Sequence, residues 1–379
     1  MKITIPRTDL LAALDAVKTT ARGSSLPILG QVLLVANEKS VTFTGTNLDA
    51  FIRIRIDAIV NAKGDATIRA ALLHDIARTA TGENVSLETG KNSQLLIACG
   101  DARFKITTLG PEEFPGWPRL GPDAVEFSLE DSVFRSRLQS TAFAAAQDPG
   151  RYTLCGTCLQ IADELLVIAT DGRRLALTSA EAPTSKKLQF IIPAFAVHEL
   201  LRLLDGDPDK PKRLAVTVAK NLIQFVWGDT TLLAKLVDGQ YPNHAQIMPP
   251  DQSPVATIDR ALLLAAVDRV ALVADEVKLD FGKSALAISS HGLKDKLMIG
   301  DATDRLLVPA SRTVTVTLSA RYLREALAAT DEPSLEFHTA KNIHLFKTVA
   351  TAERPWRAVI AGTKDREETG KAMEKPEPK

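Results

Sequence analysis

One order of elements runs through this chain three times, and that recurrence limits the fold more than any motif does. The first pass opens with a short strand, Lys2 to Ile5, and a helix from Asp9 to Val17. Leu10, Leu11, Leu14 and Val17 fall on one face of that helix, with Thr8 as its candidate cap. Strand-like runs bounded by turn formers follow at Gln31 to Ala36, Ser40 to Thr44 and Phe51 to Ile59. A second helix, Ala70 to Ala80, leads to a hairpin of Val85 to Glu88 with Leu95 to Cys99 and a last strand, Arg103 to Leu109. The pattern then breaks at Glu112-Glu113-Phe114-Pro115-Gly116-Trp117-Pro118.

The second pass has a strand at Ala124 to Ser128 and helices at Asp131 to about Ala145 and at Ala194 to Leu204. Its final hairpin pairs Leu214 to Val218 with Ile223 to Trp227, and the strand Leu232 to Leu236 runs to the break at Tyr241-Pro242. The third has helices at Asp259 to Val273 and Ala320 to Ala329, a hairpin of Leu335 to His338 with Ile343 to Lys347, and a strand at Trp356 to Ile360. Gly100-Asp101 and Gly228-Asp229 occupy the same turn of the first two passes, 128 positions apart from 100 to 228. A period this long implies duplicated domains, because each unit is large enough to hold its own core. The competing possibility is three unrelated α+β domains in tandem. Two helices with an apolar stripe against one face of an antiparallel sheet make a two-layer α+β unit. The expected domains are 1–121, 122–250 and 251–362. Residues 363–379 form a charged tail, poor in apolar residues and expected to be disordered.

A length of 379 residues suits two or three domains, and 45% hydrophobic residues can supply a core to each. The formal net charge is zero, so bulk electrostatics would not hold this chain to nucleic acid, and any such contact needs local placement of charge. Met1-Lys2-Ile3-Thr4-Ile5-Pro6 lacks the apolar core of a signal peptide, and no run of about 18 apolar residues occurs. No membrane partner is expected, and the chain should stay in the cytoplasm, with the nucleoid. The three cysteines, Cys99, Cys155 and Cys158, do not suggest a disulfide framework. Cys155-Gly156-Thr157-Cys158 has CxxC spacing, yet no helix start or second pair accompanies it, so it reads as two small residues in a strand.

A catalytic role finds little support. The six histidines are scattered, and although His338 and His344 share one hairpin, no acidic residue or cysteine joins them at metal spacing. There is no phosphate-binding loop, HExxH or GxSxG motif. No catalytic residue, metal or cofactor is expected. Asp171-Gly172, between the apolar runs around Ile168 and Leu175, is a tight turn, since Gly accepts positive φ and Asp bonds its own backbone. The helices carry only a slight excess of Lys and Arg over Asp and Glu. Were they to face one central hole, those long side chains could touch phosphates without reading bases.

Four stretches in order resemble the bacterial sliding clamp, the beta subunit of the replicative DNA polymerase III. They are Leu26-Pro27-Ile28-Leu29-Gly30, Gly45-Thr46-Asn47-Leu48-Asp49, Thr170-Asp171-Gly172-Arg173-Arg174-Leu175 and Lys235-Leu236-Val237-Asp238-Gly239-Gln240-Tyr241-Pro242. The resemblance implies a homodimer closed into a ring around double-stranded DNA, a processivity factor that tethers the polymerase. Edge strands of the first and third domains would pair across the dimer contact, with Phe104 and Ile106 on one side and Leu272 and Val273 on the other. Replicative polymerase and clamp loader would dock through short apolar peptides. The positions matching that cleft are Leu154, Thr170, Gly172, Arg173, Arg174, Leu175, Pro242 and Ile247, with Val359 and Ile360 near the end. Arg22 and Ser24, and Gln147, Arg151 and Tyr152, match the loops that touch DNA. After Pro193, where relatives often carry basic residues, stands Ala194-Phe195. Where relatives commonly end in a Met-Pro-Met-like segment, this chain reads Val359-Ile360-Ala361-Gly362 and continues. That departure keeps open a diverged accessory clamp with different partners, and a metal- or thiol-dependent enzyme using Cys155 and Cys158 remains the other alternative.

Overall fold

The computed structural model describes all residues except 22–25, 92, 205–208, 210–211, 250–252, 292–300, 350–354 and 364–379. The expected charged tail therefore lies outside the described residues, Thr363 excepted. The first pass through the repeated order comprises β1 (Lys2–Pro6), α1 (Arg7–Val17), β2 (Gln31–Ala36), β3 (Ser40–Thr46), β4 (Ala50–Asp57), β5 (Ile59–Ala62), β6 (Gly64–Arg69), α2 (Ala70–Thr79), β7 (Asn84–Thr89), β8 (Gln94–Cys99) and β9 (Ala102–Thr107). The second comprises β10 (Val125–Glu130), α3 (Asp131–Ala142), β11 (Gly156–Ile161), β12 (Glu164–Thr170), β13 (Arg174–Glu181), β14 (Leu188–Pro193), α4 (Ala194–Leu203), β15 (Arg213–Val218), β16 (Leu222–Trp227) and β17 (Thr230–Lys235). The third comprises β18 (Ala256–Asp259), α5 (Arg260–Val270), β19 (Glu276–Phe281), β20 (Leu286–His291), β21 (Thr303–Leu306), β22 (Val314–Ser319), α6 (Ala320–Ala328), β23 (Ser334–Ala340), β24 (Ile343–Thr348) and β25 (Trp356–Ala361).

Two details differ from expectation. Helix α1 starts at Arg7, with Pro6 as its cap residue, and Thr8 bonds the side chain of Asp9 instead of capping. Proline at the entry already has the φ that a helix start wants, so no hydroxyl is needed there. The run from Phe51 to Ile59 divides at Ala58: β4 belongs to an eight-stranded sheet and β5 to the five-stranded one.

The strands form four antiparallel sheets. The five-stranded sheet has the order β5-β1-β7-β8-β9 and the four-stranded one β21-β20-β19-β22. The eight-stranded sheets, β10-β15-β16-β17-β4-β3-β2-β6 and β14-β11-β12-β13-β25-β24-β23-β18, each join strands of two successive repeats. In the first, Phe51 of β4 stands opposite Leu233 of β17; in the second, Leu175 of β13 stands opposite Val359 of β25. Because these ladders cross the repeat boundaries, the chain divides into two compact units instead of three. One contains Met1–Phe134 and His198–Leu236, the other Arg135–Val197 and Val237–Lys379.

In the first unit α1 packs on α2 and places Leu10, Leu14 and Val17 inward, as their spacing requires. In the second unit α5 packs on α6 over the four-stranded sheet. There Leu263, Val267, Leu323 and Leu327 meet Leu279, Phe281 and Phe337, and the rings of Phe281 and Phe337 stack 4.5 Å apart. This is a two-layer solution: helices take one face of the sheet, and successive strand residues turn alternately to that core and to the opposite face.

Candidate peptide and nucleic-acid sites

The turn between β12 and β13 is built almost wholly from its own side chains. Thr170 Oγ1 donates to the Arg174 carbonyl at 2.6 Å and accepts from Gly172 N at 3.1 Å. Asp171 Oδ1 accepts from the backbone N–H of Arg173 at 2.8 Å and of Arg174 at 3.0 Å. Gly172 takes φ +84, a conformation glycine adopts without steric cost. From the segment after β17 Tyr241 fixes the base of the turn, its hydroxyl accepting from Thr170 N at 2.9 Å. Burial pushes the Tyr241 phenol well above its ordinary range, so it stays neutral.

Successive residues of a strand face opposite ways, and here that alternation separates two environments. Arg174 is 4% exposed and points to the helix side. Its guanidinium contacts Asp171 through Nε at 3.1 Å, Glu325 of α6 through Nη1, and the Phe143 carbonyl through Nη2 at 2.6 Å. It also sits 4.5 Å from the ring centre of Tyr322 and 5.4 Å from that of Phe143. Glu325 is bonded in turn by Arg321 Nε at 2.8 Å. Partial burial pushes the Glu325 carboxyl up, but Arg321 and Arg174 together hold it below its ordinary value. The result is an alternating chain of charge, Arg321, Glu325, Arg174 and Asp171, that anchors the turn on α6.

Leu175, on the other face of β13, belongs to an apolar cluster with Cys158, Ile168, Leu177, Ile191, Tyr241, Leu345 and Val359. Leu154, Leu166, Ile247, Met248 and Ile343 pack against it and remain partly exposed. Four of the expected cleft positions, Leu154, Leu175, Ile247 and Val359, are thus brought together from a turn, two strands and the segment after Pro242. Gly172, Arg173 and Pro242 are exposed around this patch, and Thr170 is buried beneath the turn. Two other expected positions face the opposite side of their strands: Arg174 is bonded to Glu325 of α6, and Ile360 packs in the third-repeat core on the other side of β25 from Val359. Strand alternation sets both orientations. Met248, Leu177, Leu345 and Ile343 were not foreseen, although the pairing of Leu175 with Leu177 at a two-residue spacing signalled a common face.

The expected nucleic-acid residues divide. Arg22 and Ser24 lie outside the described residues. Gln147 is exposed and Tyr152 is 60% exposed, while Arg151 turns its guanidinium to the Asp171 carbonyl. Many helix cations are paired with helix acids: Lys18 with Asp15, Arg78 with Asp75, Arg202 with Glu199 and Arg324 with Asp268. Phe104 and Ile106 lie half-buried on β9, an edge strand, and after α5 Leu272 is 70% exposed with Val273 half-buried beside it.

The remaining candidates for chemistry are packed. His344 is buried, shares a hydrogen bond of 2.9 Å with Thr339, and is pushed down to about 4 by its burial. Burial drives the Cys158 thiol up to about 12, which suits a floor residue and not a nucleophile. Among the described residues no three His, Cys, Asp or Glu side chains gather as a metal site would need, and no helix is long and apolar enough to cross a membrane.

These features define a class: a protein of three duplicated α+β domains that presents a partly exposed apolar patch, with no cluster of three metal-ligating side chains among its described residues. Family models for the N-terminal, central and C-terminal domains of the DNA polymerase III beta subunit match residues 1–118, 128–243 and 245–361. The beta sliding clamp of Pseudomonas putida is 31% identical over 300 residues, spanning 77% of this chain and 81% of that protein. That of Caulobacter vibrioides is 28% identical over 355 residues, 90% of this chain and 93% of its own. A crystal structure of the Pseudomonas aeruginosa sliding clamp bound to griselimycin superposes with a TM-score of 0.88 at 26% identity, covering 96% of this chain and all of that one. The chain belongs to the DNA polymerase III beta subunit family, the bacterial sliding clamps.

Proposed function

We propose that two copies of this chain close into a ring around duplex DNA and act as a non-catalytic processivity factor, with the replicative polymerase and the clamp loader docking through short apolar peptides. The convergence of Leu154, Leu175, Ile247 and Val359 on one partly exposed apolar patch carries this reading. A few anchors in an apolar setting, with polar groups at the rim, are what such a peptide needs. Thr170, Gly172, Arg173 and Pro242 would supply the rim. The repeats are taken as 1–121, 122–250 and 251–362, followed by the tail 363–379. The dimer contact is assigned to Phe104 and Ile106 on one chain and Leu272 and Val273 on the other, β9 being an unpaired edge. Arg22, Ser24, Gln147, Arg151 and Tyr152 are assigned to DNA. A topological tether accounts for a neutral chain, because release would depend on ring opening and not on phosphate affinity. The site of action is the cytoplasm, on the nucleoid.

Solution mass together with retention on nicked circular DNA tests the ring. A dimer held on circles and lost after linearisation is expected; equal loss from both substrates would overturn it. The changed ending favours one second reading, an accessory clamp. Gly362 is held by Asn342 through both its N–H and its carbonyl, and the Thr363 N–H then bonds the Thr317 carbonyl of β22. Failure of a Gln-Leu-Ser-Leu-Phe peptide to bind, with the ring intact, would move the assignment to that reading.

A further inference from the structure

The sheet surface that carries the apolar patch has a copy in the first unit, and there the chain covers it with a segment of its own. In the second unit Leu175, Val359 and Ile343 come from β13, β25 and β24; in the first, Phe51, Leu233 and Leu222 come from β4, β17 and β16. The registers agree. Leu175 stands opposite Val359 as Phe51 does opposite Leu233, and Ile343 and Leu222 each pair with the residue two positions further on, Ala361 and Lys235. What differs is the cover: Trp117 and Leu120 pack against Phe51, Leu222 and Leu233, with Arg53 over the indole ring. Leu222 is buried where Ile343 is partly exposed.

Side chains alone hold that cover in place. Among the described residues no hydrogen bond ties residues 115–120 to the rest of the chain. Gly116 and Gly121 bound the two anchors, and nothing lies within 4 Å of the place that either Cβ would take. Trp117 and Leu120 are three positions apart, the spacing of the first Leu and the Phe in Gln-Leu-Ser-Leu-Phe. Two apolar anchors on a backbone without bonds of its own are how a short peptide would sit there. We propose that Trp117 and Leu120 are a built-in ligand that holds closed a second peptide-docking site, on β4, β17 and β16. This rests on the peptide-docking role assigned to the open patch. A tethered ligand competes at an effective concentration of roughly millimolar, so a peptide supplied at micromolar concentration fills the open patch alone.

The test titrates Gln-Leu-Ser-Leu-Phe by calorimetry into the full-length protein and into the double variant Trp117→Ala, Leu120→Ala. The unaltered chain should take one peptide and the variant two, a doubling of the stoichiometry. One peptide on both would overturn the proposal while the open patch stands, and binding to neither would remove the patch assignment as well. Should the double variant fail to fold, the unaltered protein decides. Trp227 and Trp356 are buried, so peptide at millimolar concentration should expel Trp117 into water and shift the tryptophan emission to longer wavelength, in a second phase after the open patch has filled. Trp117→Phe, which keeps an aromatic cover, should lack that phase. Absence of the second phase from the unaltered protein, or its survival in Trp117→Phe, would overturn the proposal.

Discussion

The turn before β13 has a twin before β4. In the first repeat Thr46 Oγ1 donates to the Ala50 carbonyl at 2.9 Å and accepts from Leu48 N at 2.9 Å, while Asn47 Oδ1 accepts from the N–H groups of Asp49 and Ala50. Thr170, Asp171, Gly172 and Arg174 make the same set of bonds in the second repeat. Leu48 takes φ +73 where Gly172 takes +84. The duplication has thus kept the backbone and its hydrogen bonds while exchanging what projects from them. Ala50 stands where Arg174 reaches α6, and Phe51 stands where Leu175 faces the apolar patch. Around Phe51 the first unit has Leu222, Leu233, Leu120 and Trp117, and the indole is packed edge-on to Phe51 at 5.7 Å with Arg53 over its face at 4.0 Å. At the corresponding spacing after Tyr241-Pro242 stands His244, which burial and Arg357 hold below its ordinary range. One copy is closed over by aromatics; the other presents aliphatic side chains. The pair shows that a shared turn supplies the frame, and that four or five side chains decide whether the frame is sealed or left partly open.

The largest expected break in that parallel comes from Arg174→Ala. Ala50 shows that the turn forms without an arginine, so only the anchoring on α6 should be lost. Removing one partner of a buried ion pair strands the other charges and costs about 3–5 kcal/mol. Glu325 keeps Arg321 and is partly exposed, which favours the lower end of that range. Urea denaturation reads the loss, and Glu325→Gln should cost less, because its amide still accepts from Arg174. A loss below about 1 kcal/mol would mean that the ion chain is an ornament of the surface kind.

A second contrast lies in the strands behind the two surfaces. Ile223 of β16 and His344 of β24 hold corresponding places, each one residue into its strand and each buried. A histidine held at about 4 when folded, against an ordinary 6.5, binds fewer protons folded than unfolded near pH 5. Its contribution is therefore complete above 6.5 and is lost as pH falls through that value toward 4. The loss approaches about 3 kcal/mol at pH 4. Denaturation midpoints between pH 7 and 4 should fall for the natural chain and fall less for His344→Ile. Equal slopes for the two would mean that other groups carry the acid sensitivity.

The repeat, the two helices of each unit and the final hairpins were legible because periodicity and turn residues act locally. Val359 could be grouped with Leu175 only through the family resemblance, since their pairing joins strands of different repeats. Composite sheets of this kind leave no local mark, which is also why three sequence units become two compact bodies. The orientations of Arg174 and Ile360 were hidden for a different reason: matching positions to a cleft says nothing about which face of a strand each one takes, whereas the strict alternation beginning at Leu175 does. A cavity beside Arg173 has no sequence signal, because Gln147 and Arg151 meet Arg321 there from far apart in the chain.

The smallest effect is the most direct test of the twin turns. Leu48 occupies a left-handed conformation that costs a side-chain-bearing residue about 1–2 kcal/mol, and it is 38% exposed, so little packing offsets that strain. Replacing it with glycine removes the strain but adds about 0.5–1 kcal/mol of unfolded-state freedom. Leu48→Gly should therefore leave stability unchanged or raise it by up to about 1 kcal/mol. Gly172→Ala runs the other way. Its new Cβ takes the same left-handed strain and meets the Arg151 guanidinium at 3.1 Å, so stability should fall by about 1–2 kcal/mol. Opposite signs in paired denaturation curves would establish the two turns as one backbone with different residues upon it. A destabilised Leu48→Gly would show instead that the leucine side chain packs in the first repeat more tightly than its exposure allows.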